Sequence, residues 1–179
     1  MNKSSVKQEL LAISERLVDA SDELDRLREN GEEASYAALT KELGVLGDKL
    51  VDYLKDVEGD DRAFTHFSLG SLCSMLGYLH QAELSYRSAL EQWPDHVGLL
   101  NELFDCLMEQ RKYAPAKRVI ENSIRCGGET PVILQNYAVV LAHLKKLSEA
   151  KVVMFNCLAK FPADERSHEL LEALENGNP

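Results

Sequence analysis

The chain has 179 residues, which allows one or two domains, and its 45% apolar and 28% charged residues are those of a folded protein. The formal net charge is −10, with 20 Lys/Arg against 30 Asp/Glu and no basic cluster. That balance argues against a nucleic-acid ligand, because phosphate neutralisation supplies most of such affinity, and equally against adhesion to an anionic membrane surface.

The first 60 residues carry much of the acidity, with 8 Lys/Arg against 15 Asp/Glu. Val6, Leu10, Ile13, Leu17, Ala20, Leu24 and Leu27 are spaced alternately by four and three, the seam of a heptad helix. Asn30-Gly31 is a helix stop, and the spacing then resumes at Tyr36, Leu39, Leu43, Leu46, Leu50, Tyr53 and Val57. Residues 1–60 are therefore expected to form an antiparallel, coiled-coil-like helical hairpin. Two helices bury little, so the hairpin needs a partner surface. Leu11 and Val18 widen the first stripe, and Val51 and Leu54 the second. Two outcomes stay open: a homodimer through Val6, Leu10, Ile13, Leu17, Leu24, Leu43, Leu46 and Leu50, or a hairpin folded back to cap the adjoining part of the chain. Glu58-Gly59-Asp60-Asp61 reads as the junction.

Residues 61–163 repeat with a period of 34: Ala82, Ala116 and Ala150; Leu69, Leu103 and Tyr137; Ala89, Ser123 and Cys157; Pro94, Gly128 and Pro162. This pattern resembles the tetratricopeptide repeat (TPR), a helix–turn–helix unit of about 34 residues. The first copy carries the family's Leu69-Gly70 pair, Ala82, Tyr86, Ala89 and Pro94. The second has Phe104 where a small residue is expected, and the third has Tyr137-Ala138 in place of Leu-Gly. The resemblance implies three units, at about 63–96, 97–130 and 131–163, in an all-α solenoid. Thr130-Pro131 is a capped helix start, and Pro115 suits the first turn of a helix. Residues 164–175 are amphipathic and suit a C-terminal capping helix, in which Leu170, Leu171 and Leu174 cover the last repeat. The tail to residue 179 should fray.

The family resemblance also implies a function: binding a peptide segment or helix of another protein in a concave groove lined by the first helix of each unit. The positions that would meet it are Phe64, Phe67, Ser71 and Met75; Asn101, Glu102, Asp105, Met108 and Glu109; and Val132, Gln135, Asn136, Val139 and His143. The family's chaperone-docking members clamp an acidic tail with Lys and Arg here. This sequence places Glu102, Asp105 and Glu109 instead, which would repel one. A partner with apolar anchors and some positive charge is expected, and Phe64, Phe67 and Met75 could equally lie against the hairpin. The layout also resembles the bacterial TPR chaperones of type III secretion, so a chaperone for a secreted apolar partner is the alternative to an adaptor or scaffold.

No catalytic, metal or cofactor motif stands out, and an enzyme is not expected. The histidines (His66, His80, His96, His143 and His168) form no HExxH or Cys/His pair at zinc spacing, and there is no P-loop, GxGxxG or GxSxG. Cys73, Cys106, Cys126 and Cys157 form no CxxC and read as reduced thiols. With no signal-type apolar run and no stretch near the roughly 18 residues of a membrane span, a cytoplasmic protein is expected.

Overall fold

The computed structural model describes residues 3–177, so Met1, Asn2 and the last two residues of the tail lie outside the described part. Among the described residues every regular element is an α-helix: α1 (Lys3–Glu29), α2 (Glu33–Tyr53), α3 (Gly59–Met75), α4 (Leu79–Gln92), α5 (Val97–Glu109), α6 (Tyr113–Gly127), α7 (Pro131–His143), α8 (Leu147–Lys160) and α9 (Glu165–Glu175). None is long and apolar enough to cross a membrane. The chain divides into two compact units, Met1–Pro94 and Asp95–Pro179.

In the first unit, α1 and α2 pack on each other and both pack on α3. Val6, Leu10, Ile13, Leu17, Leu24, Leu43 and Leu50 are all buried within one chain, and Leu46 is half-buried. The heptad stripe thus forms the interior of the hairpin and its contact with α3. Leu11, Val18 and Val51 remain exposed. Gly47 of α2 is buried against the Leu72 side chain of α3. α3 starts at Gly59, a turn earlier than the repeat register implies, with Glu58 preceding it in an extended conformation.

One turn closes every helical pair. In the first repeat the Tyr78 amide donates to the Cys73 carbonyl (2.8 Å) and Gly77 to Ser74 (2.9 Å). Lys112 to Leu107 (2.8 Å) with Arg111 to Met108 (2.9 Å), and Lys146 to Leu141 (2.9 Å) with Lys145 to Ala142 (2.9 Å), repeat it 34 and 68 residues on. This is the Schellman arrangement, whose closing residue is left-handed. Gly77 takes that role at φ +78°, but Arg111 and Lys145 occupy it at +56° and +62°, a conformation that costs an L-residue about 1 kcal/mol. The α1–α2 turn follows suit, with Glu32 donating to Leu27 (3.0 Å) and Gly31 to Arg28 (3.3 Å). The hairpin is therefore built locally like the repeats beyond it.

The departures from the repeat pattern compensate in volume. A Cβ on Gly70 would lie 2.6 Å from the ring of fully buried Tyr86, so only glycine fits beside it. One period later the same two positions hold Phe104 and Ile120, and one more later Ala138 and Met154, all buried. A large residue on one helix is matched by a smaller one on the other, which preserves packing density.

The second unit pairs α5 with α6 and α7 with α8, with α6 against α7 and α9 against both α7 and α8. Leu174 of α9 joins a core of Leu134, Ala138, Leu141, Met154 and Cys157, flanked by half-buried Leu170 and Leu171. The helix starts share a device. His96 Nδ1 accepts from the Leu99 amide (3.0 Å), Thr130 Oγ1 from Ile133 (3.3 Å) and Asp164 Oδ2 from Ser167 (2.9 Å). These caps are spaced by 34 residues, so α9 stands in register as the first helix of a further unit.

Candidate functional site

The face of α5 that stays outside the core is set by its periodicity. Leu99, Leu100, Leu103, Phe104, Cys106 and Leu107 turn inward. Glu102, Asp105 and Glu109, at positions i, i+3 and i+7, share the opposite face, and all three are exposed. They are the only exposed side chains on this helix, and Met108 and Asn101 flank them half-buried. Surrounding protein and the like charges of Glu102 and Glu109 disfavour ionisation of Asp105, whose carboxyl is pushed up to about 6. Although Asp105 is open to solvent, the crowding around it withholds part of the hydration a free carboxylate would have.

Two expected groove positions are tied to neighbouring helices. Asn101 Oδ1 accepts from Ser123 Oγ of α6 at 3.0 Å. Gln135 is not an outward residue: it is 4% exposed, and its Nε2 donates to Asp164 Oδ2 (2.6 Å) and Ser167 Oγ (2.9 Å). A buried amide must find partners, and α9 supplies them. The other α7 positions do reach the surface: Val132 and His143 are exposed, and Asn136 and Val139 half-buried. His143 stacks on Tyr113 at 4.5 Å between ring centres and 6° between planes. The second unit therefore carries a carboxylate strip on α5 and, on α7, a strip of Val132, Asn136, Val139 and His143 that ends in a flat aromatic stack.

The first-unit positions lie in a different setting. Phe64 is half-buried and shares a recess with Lys7, Leu10 and Leu11 of α1. Phe67 is half-buried with its ring centre 6.3 Å from Tyr86, and Met75 is also half-buried. Ser71 Oγ donates to the Phe67 carbonyl at 3.2 Å, a local bond within α3. The sequence reading missed the cap made by His96, the Tyr113–His143 stack and the Gln135 latch. Only the first had a signal, the 34-residue spacing of His96 from Thr130 and Asp164.

No family model matches the chain. Solved structures match its fold. MamA residues 41 to the end, from Desulfovibrio magneticus RS-1, superposes with a TM-score of 0.66 at 12% identity, covering 89% of this chain and 88% of that one. The first TPR domain of Spaghetti (RPAP3), bound to the HSP90 peptide SRMEEVD, gives a TM-score of 0.58 at 16% identity over 66% of this chain and 97% of that one. The fold is that of the tetratricopeptide repeat. Among curated sequences, the chain is similar to the hemophilin secretion modulator of Acinetobacter baumannii, with 28% identity over 114 residues. That match takes in 57% of this chain and 23% of the relative, so the shared stretch is a small part of the longer protein.

Proposed function

We propose that this TPR chain is a protein-binding module whose second unit holds an extended or helical segment bearing both basic and apolar side chains. The observation that carries the reading is the strip of Glu102, Asp105 and Glu109, the exposed side chains of a helix whose opposite face is committed to the core. Burial first, and the like charges of Glu102 and Glu109 after it, raise the Asp105 carboxyl, and a bound cation relieves the repulsive part. Val132 and Val139 on α7 offer apolar contact. Chemistry of this sign is opposite to what an acidic peptide such as SRMEEVD requires.

Fluorescence anisotropy with two labelled peptides tests the assignment: one alternating Leu and Arg, the other SRMEEVD. The basic peptide should bind and the acidic one should not. Glu102→Lys with Asp105→Lys should weaken the basic peptide at least about tenfold, since opposed charges become like charges. Unchanged affinity in the double variant, or a preference for the acidic peptide, would sink the proposal.

A second reading, as a chaperone for a secreted apolar partner, is favoured by the likeness to a relative named as a secretion modulator. In it the same face holds an apolar segment of the exported protein before export, on the cytoplasmic side. Co-expression with a candidate secreted protein would separate the two: a chaperone keeps that protein soluble, whereas an adaptor leaves its solubility unchanged.

A further inference from the structure

The first unit holds a recess on different elements from the acidic strip. Leu10 and Leu11 of α1, Phe64 of α3 and Trp93 after α4 line an open cavity of about 170 Å³, and Lys7, Asp60 and Asp61 complete its lining. An apolar cavity of roughly 150 Å³ accommodates a benzene ring, so this one has room for a single large side chain. The Trp93 indole is fixed by donation from its Nε1 to Asp60 Oδ1 at 2.9 Å. Leu11, which lines the cavity, is 49% exposed, and Asp60 is exposed as well, so the recess has an approach from solvent. Its lining includes Asp60 and Asp61 against Lys7, so the charged residues around its carbon walls are net negative.

We propose that this cavity docks an apolar side chain of a partner protein that carries a positive charge beside it, such as Leu, Met or Phe next to Arg or Lys. The apolar group displaces water from Leu10, Phe64 and Trp93. The neighbouring cation meets Asp60 and Asp61, and an anion in its place is repelled. The aromatic rings add attraction for a cation lying over them.

Trp93 is the only tryptophan in the chain, so its emission reports on the cavity. The full chain is titrated with 2-phenylethylammonium and with 3-phenylpropionate, which share a ring and differ in charge. Trp93 emission should respond saturably to the amine, with affinity about fivefold or more above that for the acid. Asp61→Asn should bring that ratio towards one, and Lys7→Ala should widen it, since both positions act through charge. Equal affinities in the wild-type chain, or no saturable response to the amine, would overturn the proposal. So would Trp93 emission that changes with protein concentration in step with dimer formation by light scattering, because the occupant would then be a second copy.

Discussion

Asp105 offers a test of how a binding surface trades against stability. Its carboxyl is raised from 3.8 to about 6, first by desolvation and then by Glu102 and Glu109. An unfolded chain has lost this proton by about pH 5, whereas the folded chain still holds it. The folded state thus binds more protons, and stability falls as pH climbs from about 4 to 6; above that the penalty is constant. Taken at face value the shift corresponds to about 3 kcal/mol. The side chain is exposed, however, and solvent screening reduces the figure to about 1 kcal/mol. Asp105→Asn removes the charge and nearly preserves the shape. At pH 7.5 it should raise the melting temperature by about 2–4 °C for a chain of this size, and at pH 4 by almost nothing. The carboxyl carbon shift of Asp105, followed by NMR, should have a midpoint near the same pH and move down in Glu102→Gln. An equal gain at both pH values, or none at pH 7.5, would refute the reasoning.

Other expectations rest on single contacts. Arg111→Gly and Lys145→Gly should each stabilise the fold by about 0.5–1 kcal/mol in urea titrations, because they remove left-handed strain; Gly77→Ala should do the reverse. Gly70→Ala places a methyl against the Tyr86 ring and should destabilise by about 1–3 kcal/mol, with loss of near-ultraviolet dichroism before helicity. Gln135→Leu leaves Ser167 and Asp164 short of a donor, so α9 amides should exchange faster while those of α5 do not change. Asp164 is held below the ordinary carboxyl range, chiefly by the Ser167 side chain and secondarily by its amide and Gln135. Its share of stability is therefore complete above the ordinary Asp value and is lost as pH falls through the lower folded value, which protection of α9 amides measured between pH 5 and 3 would show.

Much of this architecture was legible in the sequence, because heptad spacing and the 34-residue period are properties of individual helices. The stop at Gly31, the Thr130 cap and the inward leucines of α9 needed no knowledge of neighbours. What escaped was set by tertiary partners. Gln135 looks like a surface amide until α9 brings Asp164 and Ser167 to it. Phe64 is readable either as a groove residue or as a contact of the hairpin, and only the fold places Lys7, Leu10 and Leu11 of α1 beside it. The volume exchange among Gly70/Tyr86, Phe104/Ile120 and Ala138/Met154 is visible only when both helices of a pair are considered together. The acidic character of α5 was readable, but not the crowding that raises Asp105, which depends on everything around it.

The shared turn bears on how the chain folds. Each helical pair, the hairpin included, is closed by a turn of a few residues, so the contacts between partners are near in sequence and contact order is low. Little loop entropy stands in the way of any one pair, and structure can begin at α1–α2, α3–α4, α5–α6 or α7–α8 without waiting for the others. A substitution at one turn should therefore redirect the order of events more than it slows the whole. Kinetics of Gly77→Ala and Arg111→Gly should differ in which unit gains protection first while reaching the same helical content.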